Sequence, residues 1–478
     1  MSEKLHQRSR QAVFFDAQDS GGNRGKLDQT VDPTLLDYYR MPGNSLPLQT
    51  EADCTSGESE FVPVGEGMVC FGRSKSGTGE VVAGPARFPA SILAGRKGNS
   101  TRLSCSFGGV IDDLRLEHYR SKSVNRWESL AASQPIHKLY YLIRGWLPTA
   151  IRHQLQRIYF HDWKKLQFPN WPVDVTVDKL HEEYLRLLME AYDLQKVPFI
   201  WFWPDGATDC LIMTHDVETL AGRNFTSKLM DLDDSYGFRS SFEVIPEGRY
   251  ELPDSYVDEI RKRGFEFNVH DLNHDGNLYG ERREFLRRAA KINAYVHRYN
   301  ARGFRAGSMY RNQDWYDAFE FSYDMSVPNV AHLEPMRGGC CTVMPYFVSR
   351  ILELPTVTSQ DYSLFHILKH YSIDLWKQQL ALIRERNGLM SFITHPDYLI
   401  ERRARNVYEL LLDYLRQMIE RDKVWTALPG EVDSWWRARN KMQLIPRGDE
   451  WKIVGPGHEK ARVAYAIRDR GRLVYELA

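Results

Sequence analysis

From Cys210 to about Pro429, short apolar runs alternate with amphipathic segments. Residues 211–214 read as a strand, 224–236 as a helix, 239–245 as a strand and 254–262 as a helix. Residues 265–269 read as a strand, 282–299 as a long helix, and 390–394 and 424–427 as later strands. Such alternation predicts parallel βα units, closed into a barrel or laid out as an open sheet. Upstream the texture differs. Residues 1–119 are punctuated by Gly and Pro, with strand-like runs at 61–64, 68–71 and 103–107. The stretch 138–163 reads as two helices parted at Pro148. Leu180, Tyr184, Leu187, Leu188 and Tyr192 recur at helical spacing within 178–194. Past Trp436, strands are expected at 442–445, 450–454, 462–467 and 473–477. The expected layout is thus an α/β chain in four parts. A β-rich N-terminal module with a disordered start spans 1–120, and a helical connector spans 121–200. A (β/α) barrel spans 201–430 and a small β appendage 431–478.

Composition narrows the partners. Lys+Arg 63 against Asp+Glu 63 leaves a formal net charge of +0 over 478 residues. That balance argues against a general nucleic-acid binder, which needs a net basic face. Mean hydropathy is −0.49, and no apolar run approaches the roughly 20 residues that a spanning helix requires. The opening residues carry early charges without an apolar core or cleavage site, so no secretory signal is expected. Six cysteines without a CxxC pair suggest free thiols in a reducing cytoplasm.

Chemistry-bearing residues gather at predicted strand ends. Thr214-His215-Asp216-Val217-Glu218 follows the first strand of the βα region. Two carboxylates there can divide labour, one ligating a metal and one acting as base. A helix cap at Asp216 is the plainer alternative. His270 and His274 follow the strand at 265–269; four residues apart, they would share one face of a helical turn and could reach one ion. Taken alone, such pairs are more often surface histidines. A carboxylate and two histidines leave positions open for water and substrate, as catalytic zinc sites require. Arg305, in Gly303-Phe304-Arg305-Ala306-Gly307, could hold a carboxylate base ionised, although taken alone such an arginine more often makes an ordinary surface salt bridge. His395 stands at the tip of the strand that ends in Thr394 and precedes Pro396. There it is placed to act as an acid or to sit satisfied in the core.

In this order, Asp/Glu, HxxxH, Arg and His resemble the polysaccharide deacetylase family (carbohydrate esterase family four, NodB-like homology domain), over roughly 210–429. The first motif is closest to a variant branch that reads His-Asp-Val-Asp. The resemblance implies a distorted (β/α) barrel of seven or eight strands and a divalent metal, for which zinc suits the ligands. It implies Asp216 as catalytic base, Glu218, His270 and His274 as metal ligands, Arg305 as the arginine that orients the base, and His395 as the acid. Two positions depart from the pattern. Glu218 stands where the branch has Asp, one methylene farther out. For the Asp that orients the acid histidine, the candidate is Asp324. Gly338-Gly339-Cys340-Cys341 and Glu353-Leu354-Pro355 are placed near the cleft without a role, the cysteines as small buried hydrophobes.

The implied activity is hydrolysis of an acetyl group from an N-acetylated or O-acetylated sugar, in polysaccharide or cell-envelope glycan synthesis, with a carbohydrate as partner. Hydrolysis of a non-sugar amide, and a non-catalytic glycan-binding or assembly role on the same scaffold, stay open beside it. The basic, aromatic stretch 138–165 suits a peripheral contact with an anionic membrane. A helical hairpin with a solvated basic face is the preferred reading. Trp201 and Trp203 could stack on sugar rings or fill the core.

Overall fold

The structure is a computed structural model that describes residues 33–42, 59–63, 69–73, 107–120 and 159–478. Ahead of the barrel lie α1 (Pro33–Tyr39), the hairpin β1 (Ser59–Pro63) and β2 (Val69–Arg73), α2 (Phe107–Arg115) and α3 (Thr176–Ala191). Two of the expected strands pair as that hairpin. Of the strand expected at 103–107, residues 103–106 lie outside the described residues, and Phe107 opens α2. Phe107, Val110, Ile111 and Leu114 recur at three- and four-residue spacing and bury one helical face against Tyr184 and Leu188 of α3. The helices expected over 138–147 and 148–163 lie almost wholly outside the described residues, as does most of the stretch considered for membrane contact. Asp174 Oδ1 accepts the Thr176 N–H at 2.8 Å, which satisfies a donor at the start of α3.

Next come β3 (Lys196–Ile200), β4 (Asp209–Val217), α4 (Leu220–Ser235), β5 (Ser240–Val244), α5 (Asp254–Lys262), β6 (Glu266–His270), α6 (Arg282–Arg298), β7 (Gly303–Arg305) and β8 (Tyr323–Asp324). They are followed by β9 (Tyr346–Val348), β10 (Ile351–Glu353), α7 (Asp374–Arg384), β11 (Leu389–Thr394), α8 (Arg402–Arg421) and β12 (Val424–Thr426). The chain closes with α9 (Pro429–Lys441), β13 (Gln443–Arg447), β14 (Glu450–Val454), β15 (Val463–Asp469) and β16 (Arg472–Leu477).

The main sheet runs β11-β4-β5-β6-β7-β8-β10-β9, with β12 also on β4. Every pairing is parallel except β9 with β10. The sheet curls into a distorted (β/α) barrel. Between β10 and β11 the closure is irregular: the Ser391 hydroxyl donates to the Pro355 carbonyl (2.6 Å) and accepts the Val357 N–H (2.8 Å).

Side-chain alternation decides what faces inward. All nine residues of β4 are buried. Leu211, Met213 and Val217 pack with Leu229 of α4 and Leu411 of α8 on the helical side, whereas Cys210 and Ile212 join the other core. With a period of two, Thr214 and Asp216 share the inner face with Ile212. The barrel interior is therefore apolar at its base and polar at the C-terminal ends of its strands.

Two boundaries shift. β3 pairs not with the barrel but antiparallel with β15, so residues 196–200 belong to the C-terminal sheet β16-β15-β3 and not to a connector. A helix, α9, stands between the barrel and that sheet. Its Arg439 is buried and donates to the carbonyls of Tyr38, Ile200 and Trp201, tying α1 and the β3 exit together. Trp201 and Trp203 are core residues, their indole N–H groups donating to the Ala207 and Asn387 carbonyls. No helix among the described residues is long and apolar enough to cross a membrane.

Candidate active site

Asp216 lies within β4 and Glu218 just past its end, so the first motif is mostly strand, not the turn after one. His215 points outward, its ring between Asp233 Oδ2 (2.9 Å) and Thr394 Oγ1 (2.7 Å). Asp216 is on the inner face, where Oδ1 accepts from Arg305 Nη1 at 2.5 Å. Arg305 ends β7 and is 1% exposed. Its Nη2 donates to Thr214 Oγ1 (2.9 Å) and its Nε to the Met325 carbonyl (3.1 Å). Burial raises the Asp216 carboxyl, but Arg305, His270 and His395 outweigh it and leave the group below the usual carboxylate range.

The two histidines do not share a helical turn. His270 ends β6, and the chain then makes a non-helical loop in which Asp271 and His274 both have φ of 54°. Left-handed backbone at two non-glycine residues needs support. Arg249 supplies part of it by donating to the His274 carbonyl at 2.6 Å and the Asn273 carbonyl at 3.2 Å. Arg288 clamps Asp275 with contacts of 2.7 and 2.8 Å. The loop also depends on Gly307. A Cβ there would lie 2.5 Å from Asp271 Oδ2 and 2.8 Å from His274 Cδ2.

The loop brings the two imidazoles to 5.0 Å between ring centroids. His270 Nδ1 lies 3.0 Å from the Arg305 carbonyl oxygen. That oxygen can only accept, so Nδ1 carries a proton, which leaves Nε2 as the nitrogen that a metal would take. His270 Nε2 and His274 Nε2 are both buried and turned towards carboxylate oxygens. Glu218 Oε1 sits between them, 3.6 Å from His270 Nε2 and 2.8 Å from His274 Nε2. Two buried imidazole nitrogens that converge on a carboxylate oxygen fit a divalent metal, since ligand bonds of ~2.0–2.2 Å span separations of this size. The extra methylene of Glu218 does not take it out of reach. Its side chain is 22% exposed, so the centre opens to solvent. Burial raises the Glu218 carboxyl, and His274, His270 and His395 together pull it well below its ordinary value.

His395 follows β11, with Nε2 3.6 Å from Glu218 Oε1. Its backbone N–H donates to Asp361 Oδ2 at 2.7 Å, and its Nδ1 donates to Asp361 Oδ1, also at 2.7 Å. Burial lowers the imidazole, but Asp361 and Glu218 hold it well above the usual histidine value, so it stays protonated. The orienting carboxylate is therefore Asp361 and not Asp324. The Asp324 carboxylate is taken by the Tyr316 hydroxyl (2.6 Å) and by the Ser326 N–H and hydroxyl (2.9 and 2.8 Å). Nothing in the local sequence singles out Asp361; it reaches His395 across 34 residues because the closing segment lies against β11. Sequence reasoning also missed Glu334, whose Oε2 accepts from Gln360 Nε2 at 2.7 Å and which burial pushes up to about 7. Cys340 and Cys341 are buried and free. Among the described residues, ligand atoms gather in two overlapping sets, Glu218 with His270 and His274, and Asp216 with Glu218 and His395.

A carboxylate held by a cation, three convergent groups that could ligate a metal and a protonated imidazole thus line one end of a (β/α) barrel. Such a site can activate water on one side of an acyl carbon and protonate a leaving group on the other. Several solved structures are similar to the chain in fold over about half its length. Among solved structures it is similar to a Mycobacterium smegmatis protein described as a polysaccharide deacetylase. That match has 17% identity and a TM-score of 0.41, covering 52% of this chain and 98% of that one. It is similar to Puue allantoinase (10% identity, TM-score 0.40, covering 49% and 92%). BA3943 of Bacillus anthracis, a CE4 family pseudoenzyme, is also similar (14% identity, TM-score 0.31, covering 48% and 66%). No family model and no curated protein matches the chain.

Proposed function

We propose that the chain is a metal-dependent hydrolase that removes acetyl groups from an N-acetylated, or secondarily O-acetylated, sugar during polysaccharide or cell-envelope glycan synthesis. The observation that carries this reading is the placement of Glu218 Oε1, His270 Nε2 and His274 Nε2 between Asp216 and His395. A divalent ion held by Glu218, His270 and His274, for which zinc suits the donors, would supply a Lewis acid to the acyl carbonyl and to water. Asp216, kept ionised by Arg305, takes a proton from the attacking water. His395, kept protonated by Asp361, gives a proton to the departing amine or alcohol as the acyl bond breaks. Acetate and the free amine are the products from an amide.

The test is metal content and acetate release measured together. Wild type is expected to carry about one divalent ion per chain and to release acetate from N-acetylated chitooligosaccharides or peptidoglycan fragments. His270→Ala is expected to lose both. Metal without acetate from any acetylated sugar would turn the reading towards another amide. No metal in the wild type would overturn it.

A further inference from the structure

β5 presents Ser241 and Glu243 to the barrel interior, between β4 and β6. Glu243 is completely buried and was not marked by any sequence pattern. Its Oε2 accepts the His215 backbone N–H at 3.2 Å and lies 3.4 Å from Arg305 Nη1. Its Oε1 accepts from the Ser241 hydroxyl and lies 3.4 Å from Asn268 Nδ2. Arg305 Nη1 therefore faces two carboxylates, Asp216 and Glu243. The remaining guanidinium groups are occupied by Thr214 and Met325, so the plane of Arg305 is fixed on every side. Glu243 also grips the backbone one residue before Asp216.

Burying a second carboxylate beside one already paired is costly, and an apolar residue would fill the space without that cost. Burial accordingly raises the Glu243 carboxyl despite Arg305. What the carboxylate adds is geometry. It makes no direct hydrogen bond to Asp216, but it holds both groups that hold Asp216, the Arg305 guanidinium and the backbone at His215.

Resting on the hydrolase reading above, we propose that Glu243 is a positioning residue of the reaction: through Arg305 and the His215 N–H it fixes the carboxylate of the base Asp216.

The test is a double-mutant cycle on the zinc-loaded full chain with E243Q, Arg305→Lys and the pair. Acetate release from a chitooligosaccharide is the first readout, and thermal unfolding of the metal-free proteins the second. Glu243→Gln keeps the volume and is expected to lower kcat about tenfold or more. KM and metal content stay at the wild-type values, because neither substrate nor ligand set is touched. In the Arg305→Lys background the same change is expected to add little, since the group through which Glu243 acts is already displaced. An unchanged kcat in E243Q, or effects that multiply in the double variant, would overturn the proposal; a residue that only stabilises the barrel would give the second result. The unfolding cycle keeps this separate from the hydrolase reading. If the wild type releases no acetate, that reading fails, while Tm shifts that do not sum in the double variant still place Glu243 on Arg305. Shifts that sum remove it.

Discussion

Asp361 grips His395 twice, through the backbone N–H and through Nδ1, each at 2.7 Å. The pair sets both where the ring sits and which nitrogen faces the metal ligands. Asp361→Asn would keep much of the volume but withdraw the charge that keeps His395 protonated. The expected outcome is a fall in kcat/KM of about 10²-fold or more, with metal content unchanged. Steady-state acetate release alongside metal analysis checks it. Wild-type activity in the variant would remove His395 from its role as acid.

Gly307 is the close approach on which the His274 loop depends. Its φ is ordinary, so the constraint is space and not backbone freedom. In Gly307→Ala the new methyl would meet Asp271 Oδ2 and His274 Cδ2 well inside contact distance. Metal affinity is expected to fall about 10–100-fold, with the barrel still folded. Titration of the metal-free variant with zinc, followed by calorimetry, measures this. Wild-type affinity would mean that the loop absorbs the methyl without moving His274.

Glu117 comes from the segment after α2, far from the barrel in sequence. It accepts from Arg311 Nη2 at 2.5 Å and Nε at 2.6 Å, and from the Gly339 N–H at 2.6 Å. Both partners of the pair are almost fully buried. Glu117→Ala would leave the Arg311 charge inside without its carboxylate, at a cost of about 3–5 kcal/mol. Urea denaturation should show that loss. Replacing both residues together, Glu117→Leu with Arg311→Met, is expected to cost less than either charge-stranding change alone.

Asp178, on α3, is buried against Thr342 Oγ1 (2.7 Å) and the Val343 N–H (3.0 Å). Burial outweighs those hydrogen bonds and pushes its carboxyl up to about 6. The folded state then holds this proton to higher pH than the unfolded state, whose carboxyl titrates near 3.9. Its contribution is fully present below about pH 4 and is lost as pH rises through 6. Between pH 4 and 7.5, wild type should lose roughly 2 kcal/mol more stability than Asp178→Asn. Denaturation midpoints at the two pH values measure the difference. Equal losses would place Asp178 at an ordinary carboxylate value.

Some of this architecture is legible along the chain. The helix at 254–262 and the strands around 240–244, 266–270 and 389–394 have strong local periodicity, and each forms where its pattern predicts. So do the short strands beyond α9, whose alternation matches an exposed sheet. Asp216, Glu218, His270, His274, Arg305 and His395 stand out because polar residues interrupt or end apolar strands. The structure brings all six together.

The rest depends on contacts that no local pattern encodes. Whether His270 and His274 share a helical turn is settled by Arg249, Arg288 and the space at Gly307, not by four-residue spacing. Asp361 was unreadable because its partner lies 34 residues away, across the irregular closure of the barrel. Asp324 does not orient His395 because its own neighbours, Tyr316 and Ser326, already occupy its carboxylate. The placement of β3 beside β15 is of the same kind: an apolar strand can pair with any open edge, and only packing chooses which. Residue types and strand periodicity thus determined which side chains could do chemistry. Burial and long-range pairing decided which of them meet, because a lone pair becomes a ligand, and a carboxylate an orienting group, only when the folded chain leaves it a single partner.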